Sequence, residues 1–211
     1  MTLPPVFRTS PSANITYNWV DYLAGAGYIT FYGASHIVTG WTKKYILTTQ
    51  NTVDSSSGST ADAAWICIWT EYTASAAADI DFDYTFKKAA TVGGASAYIN
   101  ATAKVDNGDS VKFTATIYHY DGTTETSLGT TTDIHASAGG VDSYFRQLLV
   151  IPDVTIKAFA VGDTLRLNIS AVNGGNIRIY HDPASKLSFT DQHTRTVGTD
   201  LIFNCPFKVV E

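Results

Sequence analysis

The sequence predicts an all-β chain, an antiparallel β-sandwich of the jelly-roll kind. Three observations predict it. Runs rich in aromatic and β-branched residues follow one another nearly from end to end. Turns marked by Gly separate them at short intervals, and no segment carries the apolar period of an amphipathic helix. Strands that follow one another without helices are the pattern of a sandwich or barrel. Eight or more of them in 211 residues favour a jelly roll over the shorter immunoglobulin type.

In chain order the expected strands are Tyr28–Tyr32, Lys44–Thr48, Ala64–Tyr72, Ile80–Phe86, Ala95–Val105, Ser110–Tyr120 and Glu125–Thr132. After a Gly-rich break follow Ser143–Ile151, Thr164–Val172, Asn176–His181 and Leu201–Val210. Turn formers stand between them: Asp106–Asp109 (DNGD), Asp121-Gly122, Ala138–Gly140, Val161–Asp163 and Asn173–Gly175. Asn-Gly and Asp-Gly mark hairpins, because both central residues of the tightest turn take positive φ. Tyr118–Leu128 is the clearest case. Ser55–Asp62 (SSSGSTAD) reads as a loop, and Ala74–Ala78 is too short for a helix. The domain organisation expected is an extended arm over residues 1–16, carrying Pro4, Pro5 and Pro11, and one β-sandwich domain over residues 17–211.

Composition narrows the function classes. Apolar residues make up 45% and charged residues 16% of the chain, the latter well below the roughly 25% of an average soluble protein. Ser, Thr, Asn and Gly must therefore supply much of the polar surface, as on extracellular or virion surfaces. A net charge of −5 argues against nucleic acid or an anionic membrane as the partner. The start lacks the basic and apolar regions of a signal peptide, so synthesis in a cytoplasm is expected. In that reducing setting Cys67 and Cys205 read as buried thiols, with a disulfide as the alternative.

The stretch Ala78–Phe86, ADIDFDYTF, is the most suggestive of chemistry. On a strand, Asp79, Asp81 and Asp83 project on one face about 6.6 Å apart, so the outer two stand about 13 Å apart. One cation cannot collect all three. A calcium loop of the EF-hand kind needs Gly at its sixth position and Glu at its twelfth. Counted from Asp79, those positions hold Tyr84 and Ala90. Meanwhile Ile80, Phe82, Tyr84 and Phe86 fill the opposite face without a gap, which predicts a half-buried strand with the aspartates toward solvent or a partner subunit. A cation shared between subunits is the residual alternative.

Other motifs add little chemistry. His36, His119, His135, His181 and His193 show no metal-ligating spacing, and neither HExxH nor GxSxG occurs. Sequons at Asn14, Asn100 and Asn168 are frequent by chance in a chain so rich in Ser and Thr. No catalytic residue, cofactor or metal is assigned, and the chain is not expected to be an enzyme. Aromatic residues carry more weight: 4 Trp, 12 Tyr and 10 Phe, crowded in the first quarter. Trp19, Tyr22, Trp41 and Tyr45 are the candidate contacts to a partner or glycan, set against the simpler reading that they pack the core.

Several segments together carry a resemblance: Ala26–Gly33 (AGYITFYG), Asp79–Phe86 (DIDFDYTF), Tyr120–Gly129 (YDGTTETSLG), Phe159–Asn168 (FAVGDTLRLN) and Pro206–Val210 (PFKVV). In that order they resemble uncharacterised structural proteins of tailed viruses that infect bacteria or archaea. The resemblance spans most of the chain and implies a virion surface protein, such as a capsid decoration (cement) protein or a tail component. It implies a homo-oligomer, a trimer by preference, bound to the major capsid protein or other virion subunits. It supplies no catalytic residues. A carbohydrate- or receptor-binding sandwich is the rival expectation, and a polysaccharide-cleaving enzyme would need a cleft of convergent carboxylates.

Overall fold

The computed structural model describes residues 15–16, 26–38, 42–49, 65–66, 71–74, 77–105, 111–135, 143–172, 177–181, 188–190, 196–198 and 200–208. Among these every regular element is a strand, so the all-β expectation holds. In chain order they are β1 Ile15–Thr16, β2 Ala26–Val38, β3 Thr42–Thr48, β4 Trp65–Ile66, β5 Glu71–Ala74 and β6 Ala77–Thr85. Next come β7 Ala90–Val92, β8 Ala97–Val105, β9 Val111–Tyr120, β10 Glu125–His135, β11 Ser143–Ile151 and β12 Lys157–Phe159. The last are β13 Thr164–Val172, β14 Ile177–Tyr180, β15 Ser188–Thr190, β16 Thr196–Gly198 and β17 Ile202–Lys208. Of the expected arm, only Ile15–Thr16 is described, as β1 paired with β2.

Hydrogen bonding links the strands in the order β10-β9-β13-β6-β3-β2-β17-β8-β14-β5, with β11 beside β8. All described pairings are antiparallel except one parallel bridge, Ile46↔Asp83, where β3 meets β6. That bridge joins β10, β9, β13 and β6 to the rest of the sheet. The core fills the space between the halves. Ile80 and Phe82 of β6, Phe113 and Ile117 of β9, and Leu165, Leu167 and Ile169 of β13 come from one side. Phe31 of β2, Ile99 of β8, Leu149 of β11 and Phe203 of β17 meet them from the other. Phe31 bridges the two, with its ring 4.9 Å from Tyr84 and 5.9 Å from Phe203. Strict alternation in β13 and β9 leaves the opposite faces polar, as a half-buried sheet requires.

The β9–β10 hairpin forms as expected, but its turn differs. Tyr120 pairs with Glu125, leaving a four-residue loop in which Gly122 takes a φ of 97° while Asp121 does not adopt positive φ. Asp121 acts as the loop's anchor. Its Oδ1 accepts the backbone N–H of Thr123 at 2.9 Å and of Thr124 at 2.8 Å, and the Thr123 hydroxyl at 2.8 Å. These donors lower its pKa to about 2. Close approach fixes another loop: Gly93 sits at a φ of 101°, and a Cβ there would lie 2.4 Å from the Thr155 carbonyl oxygen.

Cys205 is a buried thiol whose pKa burial pushes up, so it is inert toward exchange. Cys67 lies outside the described residues.

Candidate functional site

Among the described residues, the outer face of β10, β9, β13 and β6 holds the most concentrated polar chemistry. Its layout follows from register. Arg166 on β13 stands opposite Tyr118 on β9 and opposite Asp83 on β6; Tyr118 in turn faces Ser127 on β10. The adjacent rows are Glu125, Tyr120, Thr164 and Thr85 on one side, and Thr130, Thr116, Asn168 and Asp81 on the other. A further row runs Thr132, Thr114, Ser170 and Asp79.

Arg166 is the hub. Its Nε donates to Asp83 Oδ1 at 2.7 Å and its Nη2 to Asp83 Oδ2 at 2.9 Å, the two-point geometry a guanidinium offers a carboxylate. Nη1 lies 3.2 Å from Asp81 Oδ2 and also donates to Glu125. The guanidinium carbon sits 5.4 Å from the centre of the Tyr120 ring. Hydrogen bonding to Asp83, and then the charges of Asp83, Asp81 and Glu125, hold Arg166 still more firmly protonated. Asn168 ties the remaining carboxylates together: its Nδ2 donates to Asp79 at 2.7 Å and to Asp81 at 2.8 Å.

Hydroxyls complete the face in cross-strand pairs. Thr85 and Thr164 are 3.2 Å apart, Thr114 and Thr132 3.1 Å, and Thr116 and Thr130 2.9 Å. Such pairs stabilise a sheet and hold each side chain in one orientation. The surface is therefore a preorganised array of donors and acceptors.

A second polar pair lies inward, at the hairpin end of the core. His119 is buried, and its Nε2 donates to Asp163 Oδ2 at 2.7 Å. Asp163 also accepts the Ala160 N–H at 2.8 Å, while its own carbonyl accepts the Phe86 N–H at 2.9 Å. The hydrogen bond from His119 lowers the Asp163 pKa, with the Ala160 N–H assisting. The imidazole packs edge-on against Phe159 at 4.6 Å. What this pair visibly does is fasten the turn at residues 160–163 to β9.

The residues singled out from sequence fall in different places. Asp79 and Asp81 are exposed and Asp83 half-buried, while Ile80, Phe82 and Phe86 are buried, as the alternation required. Tyr45 is half-buried, its ring 5.6 Å from Phe82 and 5.2 Å from His181, so it packs on the core. Trp19, Tyr22 and Trp41 lie outside the described residues. Arg166 and Asn168 were not anticipated as partners of the aspartates. The alternation of Leu165, Leu167 and Ile169 places both on a wet face, but only the β13–β6 register brings them to Asp79, Asp81 and Asp83.

Comparison with known proteins bears on the fold. No protein-family model and no curated protein matches the sequence. Among solved structures, a CocE/NonD family hydrolase from Staphylococcus aureus matches 86% of this chain at 12% identity with a TM-score of 0.57. This chain spans only 37% of that hydrolase. An aminopeptidase from a marine sediment archaeon matches 85% of this chain and 37% of its own at 7% identity, with a TM-score of 0.43. A structure of infectious bursal disease virus matches 88% of this chain and 57% of its own at 15% identity, with a TM-score of 0.21, too low to support an inference. The first of these likenesses shows a shared fold and no more. It corrects one expectation from sequence: the reading that this chain is not an enzyme does not stand, because a solved hydrolase carries this architecture across 86% of this chain.

Proposed function

We propose that the chain is a structural protein of a virus particle that decorates the capsid surface. The observation that carries this reading is the open outer face of β10, β9, β13 and β6, where the distinctive polar side chains are fixed by one another. A rigid exposed face suits attachment to another surface, since little side-chain entropy remains to be lost on contact. The resemblance of several sequence segments to structural proteins of tailed viruses agrees with it. On this reading the partner is the major capsid protein, the protein is a symmetric oligomer, and its place is the virion surface. Sedimentation of the recombinant protein with purified heads and with purified tails tests the proposal. Retention with heads supports it; retention with tails alone overturns it.

A second reading has one observation in its favour. The chain aligns over 86% of its length with about a third of a larger hydrolase. On this reading it is a β-sandwich domain that serves a hydrolytic polypeptide. Hydrolytic turnover by a polypeptide that contains this domain, lost on deleting it, would support the reading, and turnover unchanged by the deletion would overturn it.

A further inference from the structure

We propose that the protein pairs with a second copy of itself along β11, two antiparallel β11 strands joining their sheets across a two-fold axis. The proposal goes beyond the capsid reading and does not depend on it, since β11 contributes nothing to the outer face of β10, β9, β13 and β6.

Among the described residues, β11 and β10 are the two long strands paired on one side only, with β8 and β9 respectively. An unpaired edge presents a row of N–H and C=O groups that another strand can complete. Proteins guard such edges with bulges, inward charges, Lys or Pro. β10 is guarded. Its register shifts between Ser127 and Gly129, and its Leu128 carbonyl already accepts the Thr155 N–H at 2.8 Å. Asp133, opposite the buried Phe113, adds an inward-facing charge. β11 lacks all of these. Ser143 to Ile151 pair with β8 without a shift, and the strand holds no Lys, Pro, Asp or Glu. Its one charge, Arg146, is closed in a fork on Asp200, with N–O distances of 2.8 and 3.1 Å.

The side chains beside this edge are apolar. Leu148 is 50% exposed and Val150 37%, both on the outer face of the strand, while Leu149 and Ile151 are buried in the core. Tyr98 of β8, opposite Val150 in register, is 39% exposed. Their spacing selects the occupant. Two copies of one strand, run antiparallel about Leu149, set Leu148 of each opposite Val150 of the other. Both apolar contacts then form twice, and the interface is its own complement. The same register carries Arg146 of each copy beside Pro152 and Asp153 of the other. Asp153 is exposed, so opposite charges flank the apolar centre at each end. A strand from another protein would have to supply both features separately; a second copy supplies them by symmetry.

Sedimentation equilibrium of the recombinant protein over a range of concentrations tests the proposal. A reversible dimer is expected. Leu148→Lys puts a charge on the edge and should weaken the dimer roughly tenfold or more, because each interface contains the residue twice. Ile134→Lys, a change at an exposed position of the guarded strand β10, should dimerise like the parent. Both sites are exposed, so the fold should survive, as thermal melts check. Register is read separately. Leu148→Cys protein mixed with Val150→Cys protein and mildly oxidised should give a covalent dimer more readily than either variant alone or the parent. A monomer at every concentration, an assembly of odd order, a Leu148→Lys dimer as tight as the parent's, or no preference for the mixed cross-link overturns the proposal.

Discussion

Arg166 and Asp83 lie directly opposite one another in the β13–β6 register and close a two-point ion pair, with N–O distances of 2.7 and 2.9 Å. The pair converts a row of like charges into a braced surface. Without Arg166, Asp81, Asp83 and Glu125 would confront one another with only water between them.

Replacing Arg166 therefore weakens the fold through repulsion as well as a lost bond. Arg166→Lys keeps the charge but not the fork and is expected to cost about 1 kcal/mol, since the pair is partly solvent-screened. Arg166→Ala is expected to cost more, and its deficit should shrink in high salt. Urea denaturation at two ionic strengths measures both. Arg166→Ala as stable as the parent at low salt would contradict the bracing role.

Phe82 tests the core beneath the same strand. It is fully buried, with Tyr45 at 5.6 Å and His181 at 5.4 Å. Phe82→Ala is expected to cost about 3–5 kcal/mol, the range for large-to-small changes in a packed core. Asp79→Ala, one strand position from Ala78 on the wet side, should stay within about 1 kcal/mol of the parent. Thermal melts of the two variants give the contrast.

Acid should loosen the His119–Asp163 contact. The folded pKa of Asp163 is lowered by the hydrogen bond from His119, so its contribution is present above the ordinary carboxylate value of about 3.9. That contribution is lost as pH falls through the lower, folded value. Asp163→Asn removes the linkage. Its stability should fall less steeply than that of the parent below about pH 4. Parallel melts between neutral and acidic pH check this, and identical acid limbs would exclude the pair as a contributor.

Gly93 tests a backbone constraint. At a φ of 101°, with the Thr155 carbonyl oxygen 2.4 Å from where a Cβ would stand, Gly93→Ala is both strained and crowded. A cost of roughly 2 kcal/mol or more is expected. Gly162, also at positive φ but with open space around it, should lose less on the same change. Denaturation midpoints for the two variants rank them.

Much of the fold was legible because single-face burial writes itself as alternation. Ser143–Ile151 and Thr164–Val172 match β11 and β13 at both ends. Leu165, Leu167, Ile169 and Ala171 carry the period with no exception, and all four are buried. The short strands Ala90–Val92 and Lys157–Phe159 were not legible, since three residues are too few to show a period, and they pair with each other across a long sequence separation. The candidate site was half legible. The wet faces of β6 and β13 could each be read from their own sequence, but nothing in either segment names the other as its neighbour. The turn at Asp121-Gly122 was legible as a hairpin but not in its conformation, because Asp121 spends its carboxylate on Thr123 and Thr124 and so avoids positive φ.

Imaging the virus particle by cryo-electron microscopy tests the central proposal most directly. Density for this sandwich at symmetry-related positions on the capsid shell is the expected result, lost from particles assembled without the chain. Density confined to the tail, or particles that lack the chain altogether, would contradict it.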